Sequence, residues 1–141
     1  MRPATLKESV ERIVAGEPYG TALAEFLDTF YLSPTTQQQL DTIMHEPALT
    51  GDAHLDALAG AVAEYLARQY QLPTIPAWAF GPKRCLDHAW HTSPFTDDAM
   101  REYLTFVSPA EFKWRNIFTE ERPLRRARSH VPFAKAGSGP A

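Results

Sequence analysis

The stretch Asp52-Ala53-His54-Leu55-Asp56-Ala57-Leu58-Ala59-Gly60-Ala61-Val62-Ala63-Glu64-Tyr65-Leu66-Ala67-Arg68-Gln69-Tyr70 decides the fold class. Leu55, Leu58, Ala59, Val62, Leu66 and Tyr70 recur at the three- and four-residue intervals that share one face of an α-helix. Ala57, Ala59, Ala61 and Ala63 raise helix propensity and let a neighbouring element come close. Asp52, after the turn Thr50-Gly51, can cap the first free amides. The pattern predicts the central and most buried helix of an all-α core.

Working towards the N-terminus, the same periodicity continues. His45-Glu46-Pro47 ends a weaker helix from Pro34 whose apolar anchors are Leu40, Ile43 and Met44; Ser33 can cap it and Pro34 suits its first position. Leu23, Phe26, Leu27, Phe30 and Tyr31 form another stripe. Leu6, Val10, Ile13 and Val14 form the first, opened by a Thr5/Glu8 capping box and closed by Gly16-Glu17-Pro18. Towards the C-terminus the pattern breaks. Residues 71–96 carry Pro73, Pro76, Pro82 and Pro94 among Trp78, Phe80, Trp90 and Phe95. That proline density predicts an irregular connector with one short helix around Arg84–Ala89. It is too aromatic for a solvated linker, so its rings lie on the helical body or in a partner. Thr96 then caps a helix bearing Met100, Tyr103, Leu104 and Val107. Ser108-Pro109-Ala110-Glu111 starts a short one with Trp114 and Phe118 as core anchors, and Thr119–Pro123 starts another. The whole reads as an all-α compact bundle of about six or seven helices, a single domain over 1–133 with a disordered tail at 134–141.

The chain has 141 residues, 44% hydrophobic and 22% charged, which suits one globular domain. The single cysteine, Cys85, excludes an internal disulfide framework and fits a reducing compartment. No apolar run approaches the roughly 20 residues of a membrane span, and the N-terminus lacks a signal-peptide core. The expectation is a cytoplasmic protein with no membrane partner. Charge is uneven. Residues 1–70 hold 4 Lys/Arg against 10 Asp/Glu, whereas residues 113–141 hold 7 against 2. Such a basic arm on an acidic body either folds back on it or meets something anionic.

Motifs for chemistry are missing from the sequence. Gly16 to Gly20 is no phosphate loop, Asp97-Asp98 would diverge on a helix, and His45-Glu46-Pro47 lacks a second histidine. The expectation is that the protein is not an enzyme. Cys85, His88 and His91 have ligand-like residue types but the wrong helical phasing for one metal. No metal and no cofactor are expected. The interleaved rings and arginines from Phe112 to Arg128 match both a nucleic-acid surface and a protein hot spot.

Pro76-Ala77-Trp78, Arg84, Trp90, Ser108-Pro109-Ala110-Glu111-Phe112-Lys113-Trp114-Arg115-Asn116-Ile117-Phe118 and Leu124-Arg125-Arg126-Ala127 together resemble a family of small bacterial helical proteins. The resemblance covers about residues 47–128. Its members often follow a helix-turn-helix repressor domain, a pattern residues 1–46 do not carry, and are encoded beside nucleotidyltransferase-type toxins. It implies partner binding without catalysis. The expected function is an antitoxin-like interaction protein that restrains such a toxin, with Trp78, Phe80, Trp90, Arg115, Arg122, Arg125 and Arg126 as partner-binding residues. Arginines there could pair with the carboxylates a magnesium-binding transferase presents. The alternative is a nucleic-acid-binding transcriptional regulator or its accessory domain, a role that commonly requires a homodimer.

Overall fold

Asp52 does cap the alanine-rich helix: its Oδ1 accepts from the amides of His54 and Leu55 at 3.0 and 3.3 Å. In the computed structural model, which describes residues 1–93 and 97–124, this helix, α4, runs Ala53–Gln69. It follows α1 (Leu6–Val14), α2 (Tyr19–Leu32) and α3 (Thr36–Met44), and precedes α5 (Asp98–Val107) and the single turn α6 (Ala110–Lys113). The molecule is all-α, with a two-residue parallel pairing as its only sheet among the described residues.

The helix ends follow local chemistry. Thr5 accepts from the Glu8 amide at 3.1 Å, while the Glu8 carboxylate reaches back to the Ala4 amide at 2.9 Å. At the far end of α1 the amides of Gly16 and Glu17 close on Ile13 and Arg12, with Gly16 at φ +116°. The same motif ends α4, where the amides of Gln71 and Leu72 reach Arg68 and Ala67. Here a glutamine, at φ +53°, holds the left-handed position usually left to glycine. Three caps differ from expectation. α3 is capped by Thr35 rather than Ser33, and α5 by Asp97, which accepts from the Met100 amide at 2.7 Å. Ser108 closes α5 instead of opening α6; its hydroxyl accepts from the Thr119 amide at 2.8 Å.

Phe26, Leu27 and Phe30 of α2, Ile43 of α3 and Ala57, Ala61, Val62 and Leu66 of α4 form the core. Leu6, Phe112, Ile117 and Leu124 complete it. Phe30 and Tyr31 meet edge-on at 5.5 Å, Tyr70 lies 5.5 Å from Phe30, and the Tyr31 hydroxyl donates to the Leu124 carbonyl at 2.8 Å.

The other face of α4 is covered by the proline-rich connector rather than by another long helix. Two 3₁₀ turns, Ala77–Phe80 and Pro82–Arg84, lie along it. The expected helix at Arg84–Ala89 is absent because the backbone turns extended at Cys85 (φ −138°, ψ 144°) and runs on to β1 (Trp90–His91). β1 pairs in parallel with β2 (Ile117–Phe118), Trp90 opposite Ile117 and His91 opposite Phe118. No alternating pattern foretells two such short strands. Asn116, at φ +66°, turns the chain into β2 and donates its side-chain amide to the Leu86 carbonyl at 2.7 Å. Residues 119–124 are non-helical, and the rest of the helix expected from Thr119–Pro123 lies outside the described residues. The expected tail at 134–141 lies outside the described residues.

Candidate functional site: an exposed ring pair on a buried ion pair

Two arginines fasten the connector to α4, and both are enclosed, Arg84 at 1% and Arg115 at 0% exposure. Arg84 donates to the carbonyls of Pro47 (2.6 Å) and Asp56 (3.3 Å) and to the Glu46 carboxylate (3.2 Å). Its guanidinium lies 4.9 Å from the Trp78 ring centroid. Arg115 donates through Nη1 to Glu64 Oε1 and to the Glu111 carbonyl, and through Nη2 to the Ala79 carbonyl, each at 2.7 Å. A charge taken out of water persists only when it is paired and hydrogen-bonded; Arg115 is paired with Glu64 and bonded through both Nη atoms, while its buried Nε has no hydrogen-bond partner among the described residues. Gly60 makes room for both. A Cβ there would lie 3.0–3.1 Å from Arg84 Cβ, the Ala79 carbonyl and Arg115 Nε.

Glu64 is the hub. Besides Arg115 it accepts from Trp114 Nε1 at 2.9 Å and from Arg68 Nε at 2.7 Å. Burial alone would raise its carboxyl, but the bonds from Trp114, Arg68 and Arg115 outweigh burial and hold it below the ordinary carboxylate value. Over this hub lie Phe80 and Trp114, stacked with centroids 6.2 Å apart and planes 13° from parallel. The Arg115 guanidinium sits 4.1 Å from the Trp114 ring and 5.9 Å from Phe80. Each ring remains open to solvent, Phe80 at 46% and Trp114 at 45%. The result is a pair of large rings in fixed orientation, with half-exposed Arg68 bound to the same carboxylate beneath them.

The expected partner-binding residues therefore separate. Phe80 is exposed as part of this pair. Trp78 is half-buried against the body, its indole N–H donating to the Ile43 carbonyl at 3.0 Å. Trp90 is half-buried in β1 and stacked on His54 at 4.3 Å. Arg115 requires a correction: it is spent on its own chain's Glu64, because a buried guanidinium has no surface to offer. Arg122 is exposed, and Arg125 and Arg126 lie outside the described residues. Trp114, read as a core anchor, proves to be half of the exposed pair. The missed hub had a signal. Glu64 falls on the same small-residue stripe as Ala57 and Gly60, and a carboxylate there needs a buried cation.

Cys85, His88 and His91 do not converge. Cys85 Sγ faces the Trp114 carbonyl at 3.6 Å, His88 is exposed, and His91 stacks on Phe118 at 5.0 Å. Among the described residues no group of three His, Cys, Asp or Glu is arranged to hold a metal ion. No helix among them is long and apolar enough to cross a membrane. Comparison with known protein families, with curated proteins and with solved structures finds no match to this chain.

Proposed function

We propose that this chain is a non-catalytic, antitoxin-like interaction protein. Its partner is a nucleotidyltransferase-type protein encoded beside it. The observation that carries this reading is the Phe80–Trp114 pair, two large rings held near-parallel and half exposed above a buried ion pair. Rings fixed in advance lose little freedom on binding, and aromatic anchors flanked by arginine dominate interface energetics. The internal bonds of Arg115, Glu64 and Arg84 serve to hold that platform. Arg122 and the arginines after it then meet the partner's acidic surface, in line with the excess of cations over residues 113–141. Restraint follows from steric occlusion and asks no chemistry of this chain.

Growth during co-expression tests the reading. The intact chain is expected to relieve the arrest caused by its neighbour, and Phe80→Glu combined with Arg122→Glu is expected to fail. Absence of relief, or relief by the double variant equal to that of wild type, contradicts the proposal. Phe80 is half exposed and Arg122 exposed, and a helical circular-dichroism spectrum matching that of wild type separates a lost contact from a folding defect in the double variant.

A further inference from the structure

A concavity lies away from the ring pair, where the start of α4 meets β1 and the turn between α1 and α2. Its volume is about 260 Å³, close to the lower end of small-ligand pockets, which begin at about 300 Å³. Leu55 and Leu58 of α4 give it an apolar floor, and Tyr19, His54 and Trp90 give it aromatic walls. His54 and Trp90 stand as one slab, with planes 5° from parallel. Asp52 supplies the only carboxylate of the lining among the described residues. Its Oδ1 is committed to the helix cap, while Oδ2 makes no hydrogen bond among the described residues. The Tyr19 hydroxyl and the His54 ring nitrogens likewise make none there. An apolar floor, electron-rich ring faces and a carboxylate oxygen left over are the elements that recognise a cation on an apolar body. No Lys or Arg belongs to the lining among the described residues.

We propose that this cleft binds a small organic ammonium ion, with Asp52 Oδ2 accepting from the ammonium and Trp90 and Tyr19 offering their rings to it. The site is independent of the Phe80–Trp114 platform and holds or fails separately from it.

Phenethylammonium is a suitable probe, and phenethyl alcohol is its neutral counterpart. The three indole N–H resonances give the readout, because Trp78 and Trp114 have theirs tied to Ile43 and Glu64 and serve as internal controls. The ammonium is expected to move the Trp90 resonance saturably, and to bind about tenfold or more tightly than the alcohol. Asp52→Asn keeps a good N-cap, so the helix persists, and it is expected to weaken the ammonium about tenfold while leaving the alcohol unchanged. Equal affinities for ammonium and alcohol overturn the proposal without recourse to any variant. So do an unaltered affinity in D52N, equal movement of all three indoles, and no saturation up to about 10 mM.

Discussion

Arg115 is the residue on which the most depends. Removing one partner of a buried ion pair leaves the other charge stranded, at a cost of about 3–5 kcal/mol. Arg115→Ala should therefore lower stability by that amount in urea unfolding, and Glu64→Gln should cost less because an amide can still meet some of the donors. Gly60→Ala should cost about 1–3 kcal/mol, as its methyl group overpacks the space the two guanidinia use. Glu64 also sets a pH dependence. Its folded value lies below 4.5, so it binds protons more readily unfolded than folded. The stability it contributes is complete above 4.5 and is lost as pH falls through the lower folded value. Unfolding curves of wild type and Glu64→Gln should consequently converge on acidification below pH 4.5. At this scale the sequence was a partial guide. Arg115 and Arg84 sit among aromatic and proline residues, which reads equally as surface hot spot or buried fastening. Only the position of Glu64 on the small-residue stripe distinguishes the two, because it requires a cation inside.

Among the elements, α4 was legible from its period alone, and its Asp52 cap from the turn before it. Leu58 and Leu66 of its apolar stripe differ in the structure. Leu66 is fully buried and Leu58 only partly, so Leu66→Ala should cost about 2–5 kcal/mol and Leu58→Ala less, measured by thermal or denaturant unfolding. The end of α4 offers a stabilising change. Gln71 holds a left-handed conformation that costs a non-glycine residue about 1–2 kcal/mol, whereas glycine loses about 0.5–1 kcal/mol more backbone entropy. Gln71→Gly should raise stability by up to about 1.5 kcal/mol, the difference of those terms. The connector was legible as irregular but not in its path. Its 3₁₀ turns and the β1–β2 pairing are set by tertiary bonds to Ile43, Pro47, Arg115 and Asn116, all far from the connector in sequence, and periodicity carries no record of them.

For the whole molecule, charge and exposed rings decide which partners fit. Residues 1–112 hold 7 Lys/Arg against 15 Asp/Glu, an excess of eight negative charges. Binding to random-sequence duplex DNA should therefore be weak at moderate salt and have a shallow salt slope; tight binding with a steep slope would favour the regulator alternative. The protein-partner account rests on the Phe80–Trp114 pair, which the connector, α4 and α6 assemble together. Calorimetric titration of the purified chain into the neighbouring nucleotidyltransferase-type protein, with wild type and Phe80→Ser in parallel, addresses it most directly. A central aromatic anchor is worth about 2 kcal/mol or more, so Phe80→Ser should weaken the complex about thirtyfold with an unchanged helical spectrum. Equal affinity for wild type and variant, or no heat of binding for either, would contradict the account.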